Sequence, residues 1–389
     1  MTKVDDNVRR QEIEGRLEEE LAAAAVIYKA QVKALLAVAE NQVDQRVVIY
    51  PHVRADGDAI GACFAFALIL REVGFEVMIL GEEPIEEKFK YILAMAPDMY
   101  QVATTPIETE QWQEWIKRQA VGVAIDSPAR DRLGEREVLF EQAPIRFIID
   151  HHPSDRPPEK YYVKRTSAGA ACEMIADFLF YLEAAVDKIL LNKEIATCLL
   201  TGLLTDTGRF SFTNTTSHTL KIASVTLQAG ADMRTLTAHL FDTMSPGRMA
   251  LIGLLAQRLT YHADGRIAMS YFIPEDFVRY HAVETDTDGL VGKLRDVEGV
   301  EISLLLQATK EGDLRGSLRS SDVFHVGRFA ETLGGGGHQA AAGFTLEQTT
   351  LQDGQERLVK ELTKRLTEQE ASVPTATEAT AAKRLVGAD

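Results

Sequence analysis

Phe147-Ile148-Ile149-Asp150-His151-His152-Pro153 is an oily run that stops abruptly in one carboxylate and two imidazoles. Phe, Ile and Ile in succession read as a strand buried on both faces, the kind found in parallel sheets. In an open α/β sheet the carboxyl ends of the strands border the ligand crevice, so such a strand would deliver Asp150, His151 and His152 there together.

The flanking sequence repeats the strand pattern. Apolar segments at Val47 to Tyr50, Phe75 to Leu80, Val121 to Ile125 and Ile145 to Ile149 are spaced by the helical stretch Ala59 to Val73 and by other helix-compatible sequence. Helices follow at Ala168 to Leu182, Lys193 to Leu204 and Ser217 to Ala229. Strands alternating with helices predict an α/β fold, a parallel sheet with helices on both faces. Beyond the turn signal Ser245-Pro246-Gly247, strands are expected at Arg266 to Phe272, Val300 to Ala308 and Asp313 to Leu318, with helices at Leu290 to Arg295, Val326 to Thr332 and Gln355 to Gln369. These would form a smaller mixed α/β domain. The expected division is a helical N-terminal extension over 1–44, a first domain over 45–240, a linker over 241–261, a second domain over 262–369 and a disordered Ala/Thr-rich tail over 370–389.

Three further segments carry acidic groups or histidine where ligand loops belong. His52-Val53-Arg54-Ala55-Asp56-Gly57-Asp58 lies between the first strand and the first helix, Asp126 ends the strand Val123-Ala124-Ile125, and Asp206 ends the apolar helix through Leu204. Taken alone, Asp56 reads as a helix N-cap, Asp126 as a turn residue and Asp206 as a local hydrogen-bonding group. Taken together, five aspartates and three histidines can converge only if cations neutralise them, because crowded carboxylates raise one another's pKa. A pair of divalent metals resolves that conflict. Mixed carboxylate and imidazole donors suit Mn²⁺, and the distance of Cys63, Cys172 and Cys198 from these segments argues against a structural zinc site. The three cysteines, without CxxC spacing, read as small core residues in a reducing compartment.

A second informative pair lies downstream: Arg315-Gly316-Ser317-Leu318-Arg319-Ser320-Ser321, and the run Gly334 to Gly337 before His338. Consecutive glycines let backbone N–H groups close on an anion, and Arg319 and His338 add charged donors.

The 389 residues carry 42 basic and 58 acidic side chains, a formal charge of -16, which argues against broad binding to long duplex nucleic acid. No uninterrupted apolar run approaches the roughly 20 residues of a membrane span, and residues 1–20 are charged rather than signal-like, so a cytoplasmic protein without a membrane partner is expected. Apolar spacing in residues 1–44 (Ile13, Leu17, Leu21, Val32, Leu35, Leu36) predicts a helix that packs on the first domain or a neighbour. A homodimer through that helix is open, although the heptads are too few to favour a coiled coil.

HVRADGDAIG, AIDSP, IIDHHPSD and LLTDTGRF, in that order, resemble the four motifs of the DHH phosphoesterase superfamily, and GGGGH resembles the loop of the DHHA1 domain that accompanies it. The resemblance covers residues 46–366. It implies that His52 and Asp56 bind one metal, that Asp58, His151 and Asp206 bind the other, and that Asp126 bridges them. It places Asp150 in support of the metal-bound imidazole and His152 against the phosphate. Arg319 and His338, with Ser320 and Gly336, would bind substrate. Arg209 to Thr216 is similar to the oligoribonuclease-like members. The implied activity is therefore hydrolysis of short RNA oligonucleotides, adenosine 3',5'-bisphosphate or both by a hydroxide activated by two Mn²⁺ ions. A phosphodiesterase for cyclic or linear dinucleotides (pApA, pGpG) is the nearest alternative reading. A noncatalytic nucleotide-binding protein is the alternative from another class, and it requires a lost ligand where none is missing.

Overall fold

The computed structural model describes residues 3–41, 44–103, 110–127, 130–153, 159–242, 244–321 and 324–372. The disorder expected after Ala371 concerns residues that lie, from 373 onward, outside those described. The chain divides into two compact units, Met1–Thr243 and Met244–Asp389.

The first unit is built on a six-stranded, all-parallel sheet in the order β3-β2-β1-β4-β5-β6, with β1 at Arg46–Pro51, β2 at Glu76–Gly81, β3 at Tyr100–Val102, β4 at Val121–Ile125, β5 at Ile145–Asp150 and β6 at Tyr162–Lys164. Alternation along each strand sends side chains to opposite faces. Val47, Ile49, Val123, Ile125, Phe147 and Ile149 join one core, while Val48, Tyr50, Ala124 and Ile148 join another beneath Leu133, Ile116 and Phe140. Both faces are therefore covered, which is why the strands read as continuous apolar runs rather than as alternating ones.

The larger core holds α1 (Lys3–Glu40), α2 (Gly57–Glu72), α3 (Ala171–Val186) and α4 (Lys193–Asp206). Glycine brings α2 and α4 close: a Cβ on Gly61 would lie 2.5 Å from the Cys198 carbonyl oxygen. Helix α1 is fastened by Ala24, Tyr28, Val32 and Leu35, all buried in this core. Its segment Leu17–Glu40 is long and apolar enough, by length and composition, to cross a membrane, although Lys29 and Lys33 interrupt its apolar run.

The second unit carries a mixed sheet in the order β11-β12-β10-β9-β8-β7, in which β8 (Ile267–Phe272) and β9 (Ile302–Ala308) are parallel. The remaining pairs, β7 (Thr260–His262), β10 (Leu314–Ser320), β11 (Gly336–Gly337) and β12 (Ala341–Leu346), are antiparallel. The segment expected to link the domains contains the helix Pro246–Gln257, whose Leu251, Leu254 and Leu255 are buried with Phe272 and Leu290 in the second unit's core. Its N-cap is Ser245, which accepts from Arg248 N–H at 2.8 Å, with Pro246 in the first turn. The turn signal thus opens an apolar helix that packs in the second unit's core.

Candidate metal centre

The carboxyl ends of β1, β4 and β5 and the last residue of α4 converge. His52 follows β1, Asp126 follows β4, Asp150 ends β5 with His151 and His152 beyond it, and Asp206 closes α4. Three overlapping groups have potential ligand atoms all within 4.8 Å of one another: His52, Asp56 and Asp126; Asp58, His151 and Asp206; and Asp126, His151 and His152. His151 belongs to the second and third groups, and Asp126 to the first and third. Asp126 Oδ2 lies 3.5 Å from His52 Nε2, and its Oδ1 lies 3.3 Å from both His151 Nε2 and His152 Nδ1. It sits in the left-handed region at φ 57, which an aspartate tolerates better than most side chains, with its N–H donating to the Ile149 carbonyl at 2.9 Å.

Every metal-ligand candidate named from the sequence is in this cluster, but several do more than one thing. Asp56 is also the N-cap of α2, its Oδ1 accepting from the N–H groups of Asp58 and Ala59 at 3.0 Å each, and the same oxygen is 3.9 Å from His52 Nε2. Asp58 is fully buried and accepts from Ala171 N–H at 2.5 Å and Cys172 N–H at 2.9 Å, the first turn of α3. Asp150 corrects the sequence reading. Its Oδ1 pairs with His152, at 3.0 Å to Nδ1 and 3.2 Å to the backbone N–H, whereas His151 Nδ1 faces the Ala168 carbonyl at 3.2 Å. The carboxylate therefore orients the second imidazole, and a backbone carbonyl orients the first.

Electrostatics show how little the cluster suits itself. Burial, followed by the charges of Asp126 and Asp206, holds the Asp58 carboxyl well above its usual range. Burial also raises Asp206, to about 6. Asp126 resists burial because the imidazoles of His151, His152 and His52 beside it hold it well below the ordinary carboxylate value. Against the opposing pull of burial, Asp126 and Asp56 push His52 up to about 9, and Asp126 with Asp58 does the same for His151. Asp126 and Asp150 push the more open His152 up to about 10. Among the described residues, His52 Nε2, His151 Nε2 and Asp126 Oδ1 are also buried without a hydrogen-bond partner. Unpaired nitrogen and oxygen donors aimed at one another fit divalent metal ions, which take mixed imidazole and carboxylate ligands.

In the second unit Arg319 is half-buried on β10, its Nη1 donating to the Leu318 carbonyl at 2.9 Å. His338 is exposed, its N–H bonded to the Ala341 carbonyl at 2.7 Å. Ser320 and Gly336 sit in different settings. The Ser320 hydroxyl is buried and donates to the Phe324 carbonyl at 2.5 Å and the Gln339 carbonyl at 3.2 Å, so it braces the loop. Gly336 is open to solvent, while Gly337, at φ 147, is the position where a side chain would be strained and would meet Ala342 Cα at 2.5 Å.

Residues 46–203 match the DHH family, N-terminal domain, and residues 276–368 match the DHHA1 domain. A bifunctional oligoribonuclease and PAP phosphatase NrnA from Thermus thermophilus is 31% identical over 333 residues, 86% of this chain and 94% of that protein. The Bacillus subtilis protein of the same name is 26% identical over 301 residues, 77% of this chain and 89% of its own. Among solved structures, an exopolyphosphatase-related protein from Bacteroides fragilis has a TM-score of 0.75 at 22% identity, covering 88% of this chain and 98% of that one, a likeness of fold. With both domains matched in chain order and a relative 31% identical along nearly its whole length, the chain belongs to the DHH family, carrying a DHHA1 domain after its DHH domain.

Proposed function

We propose that this chain is a phosphoesterase that uses two Mn²⁺ ions to hydrolyse short oligoribonucleotides and adenosine 3',5'-bisphosphate. The observation that carries the reading is two ligand groups, His52 with Asp56 and Asp126, and Asp58 with His151 and Asp206, joined where His151 Nε2 lies 3.3 Å from Asp126 Oδ1, with buried donors left unpaired. The relatives named oligoribonuclease and PAP phosphatase supply the substrate class. Ions held there supply Lewis-acid neutralisation of phosphate oxygens and acidify water.

The protein's residues do the rest. Asp126 keeps the two ligand groups in register because both imidazoles lie within 3.5 Å of its carboxylate. His152, the most exposed of the three histidines, is held by Asp150 at 3.0 Å and is placed to stabilise charge on the phosphoryl group. Arg319 and His338 bind the substrate's terminal phosphate or nucleotide, with the glycine loop's N–H groups as additional donors. The three buried free cysteines fit a reducing, cytoplasmic setting.

The test is turnover by the purified full chain with Mn²⁺ on labelled ribonucleotides two to five residues long, on adenosine 3',5'-bisphosphate and on cyclic di-AMP. Cleavage of the first two is expected. Turnover of cyclic di-AMP alone would shift the assignment to a cyclic-dinucleotide phosphodiesterase, and inactivity on all three would overturn it.

A further inference from the structure

Between β6 and α3 the chain passes through Arg165 to Cys172, a segment that contributes no ligand to the metal cluster yet touches two of its members. Its Ala168 carbonyl faces His151 Nδ1 at 3.2 Å, and the N–H groups of Ala171 and Cys172 hold both oxygens of Asp58. The third member is reached through Asn214, whose Nδ2 donates both to the Gly169 carbonyl at 3.0 Å and to the Asp206 carbonyl at 3.1 Å. One short segment therefore locates all three residues of the Asp58, His151 and Asp206 group. The side-chain hydrogen bonds of His52 and Asp56, by contrast, remain within residues 52–59: His52 Nδ1 with the Val53 carbonyl, Asp56 with the N–H groups of Asp58 and Ala59.

What stiffens this segment is a buried charge network centred on Glu173. Its Oε1 accepts from Arg165 Nη2 at 2.7 Å, and its Oε2 accepts from Gly169 N–H at 3.0 Å and from the Thr219 hydroxyl at 2.6 Å. Arg165, also fully buried, reaches Asp177 Oδ2 at 2.8 Å, and Asp177 Oδ1 meets His218 Nε2 at 2.9 Å. Arg165 N–H further bonds the Asp150 carbonyl at 3.2 Å. Glu173 makes three hydrogen bonds here, whereas Arg165 Nη1 and Asp177 Oδ2 meet only as an ion pair, so Glu173 is the member that anchors the segment.

We propose that Glu173 and Asn214 are positioning residues for one of the two metals only, the one bound by Asp58, His151 and Asp206, leaving the His52 and Asp56 site independent. The inference rests on the two-metal reading above. Partners that orient metal ligands typically alter metal affinity by about 10–100-fold when removed, and here that loss falls on one ion of the pair.

The test is Mn²⁺ titration of the metal-stripped full chain by calorimetry, with free Mn²⁺ counted by electron paramagnetic resonance. Asp206→Asn identifies which binding event belongs to the Asp58, His151 and Asp206 group. In Asn214→Ala that event is expected to weaken about 10–100-fold while the other stays within about twofold. Glu173→Gln, which keeps the side-chain shape but removes its charge, is expected to act in the same direction, and should it not fold, the half-buried Asn214 decides alone. Both events weakening together, or neither changing, overturns the selective role. A wild-type chain that binds no divalent ion refutes the two-metal reading and this inference together, whereas two wild-type events with unmoved variants refute this inference alone.

Discussion

Gly202 tests whether the closeness of α2 and α4 is what shapes the metal centre. A Cβ placed there would collide with Asp58 Oδ1 and Cys172 Sγ and would lie 3.0 Å from Asp58 Cα. Nonbonded heavy atoms need about 3.5 Å, so even the mildest of these contacts demands a shift of about half an ångström, and relieving all three takes about 1 Å. Asp58 rides on the first turn of α2 and Asp206 ends α4, so in Gly202→Ala the strain falls on Asp58 and on the spacing between the two ligands. A displacement of about 1 Å at a reacting centre costs about a hundredfold in rate. Stability should change far less: overpacking costs about 1–3 kcal/mol, and replacing a helical glycine by alanine returns up to about 1 kcal/mol. At about 2–4 °C per kcal/mol, the first unit should melt no more than about 12 °C lower. The assay is kcat/KM on a ribonucleotide 3-mer at saturating Mn²⁺, measured well below the melting temperature, beside a circular-dichroism melt. Gly253→Ala, on an exposed helical face with nothing within 4 Å of the added carbon, is the control and should retain full activity. Gly202→Ala activity within about threefold of wild type would refute the claim that this helix contact sets the ligand geometry.

Asp126→Asn, nearly isosteric, removes the carboxylate that lies within 3.5 Å of both His52 and His151; hydrolysis should fall below detection and the bound Mn²⁺ count below two by elemental analysis, and unchanged activity rejects the bridging role. Metal ligands must be deprotonated to bind, and His52 and His151 stand at about 9 in the metal-free fold; Mn²⁺ affinity should therefore rise from pH 6 to about 9 and level off above. Proton release on binding, read by calorimetry in two buffers of different ionisation enthalpy, checks the sign, and proton uptake would contradict it. Stripping the metals should lower the melting temperature, since an ion present at a hundred times its Kd stabilises the fold by about 2.7 kcal/mol; identical melts with and without chelator would count against a metal site. Arg319→Ala should raise KM by about 10–100-fold, the worth of a hydrogen bond to a charged group, with kcat little changed, and His338→Ala should do the same to a smaller extent; a fall in kcat alone would remove both from substrate binding.

Local chemistry was sufficient to find the ligands. Each stands where an apolar run ends or a loop opens onto a helix, and a change from oily to acidic sequence is visible in any window that spans it. The strands β1, β2, β4 and β5 and helices α2 to α4 were legible for the same reason, since their buried faces impose the periodicity that sequence displays. Of the strands that went unread, β3, β6 and β7 have three residues each and β11 has two, while the six-residue β12 begins among the small residues Ala340 to Gly343 that follow a glycine run, which reads as a turn.

By itself, then, the sequence determined the residue types of the metal centre, the parallel α/β core and the family's motif order. Tertiary structure alone decided their partnerships. That Asp150 holds His152 while the Ala168 carbonyl holds His151, that Ser320 braces its loop, and that Asp58 is gripped by N–H groups 113 and 114 residues away are consequences of chain crossing. A hydrogen bond to a distant backbone amide leaves no mark on composition or period, because any residue but proline supplies that donor.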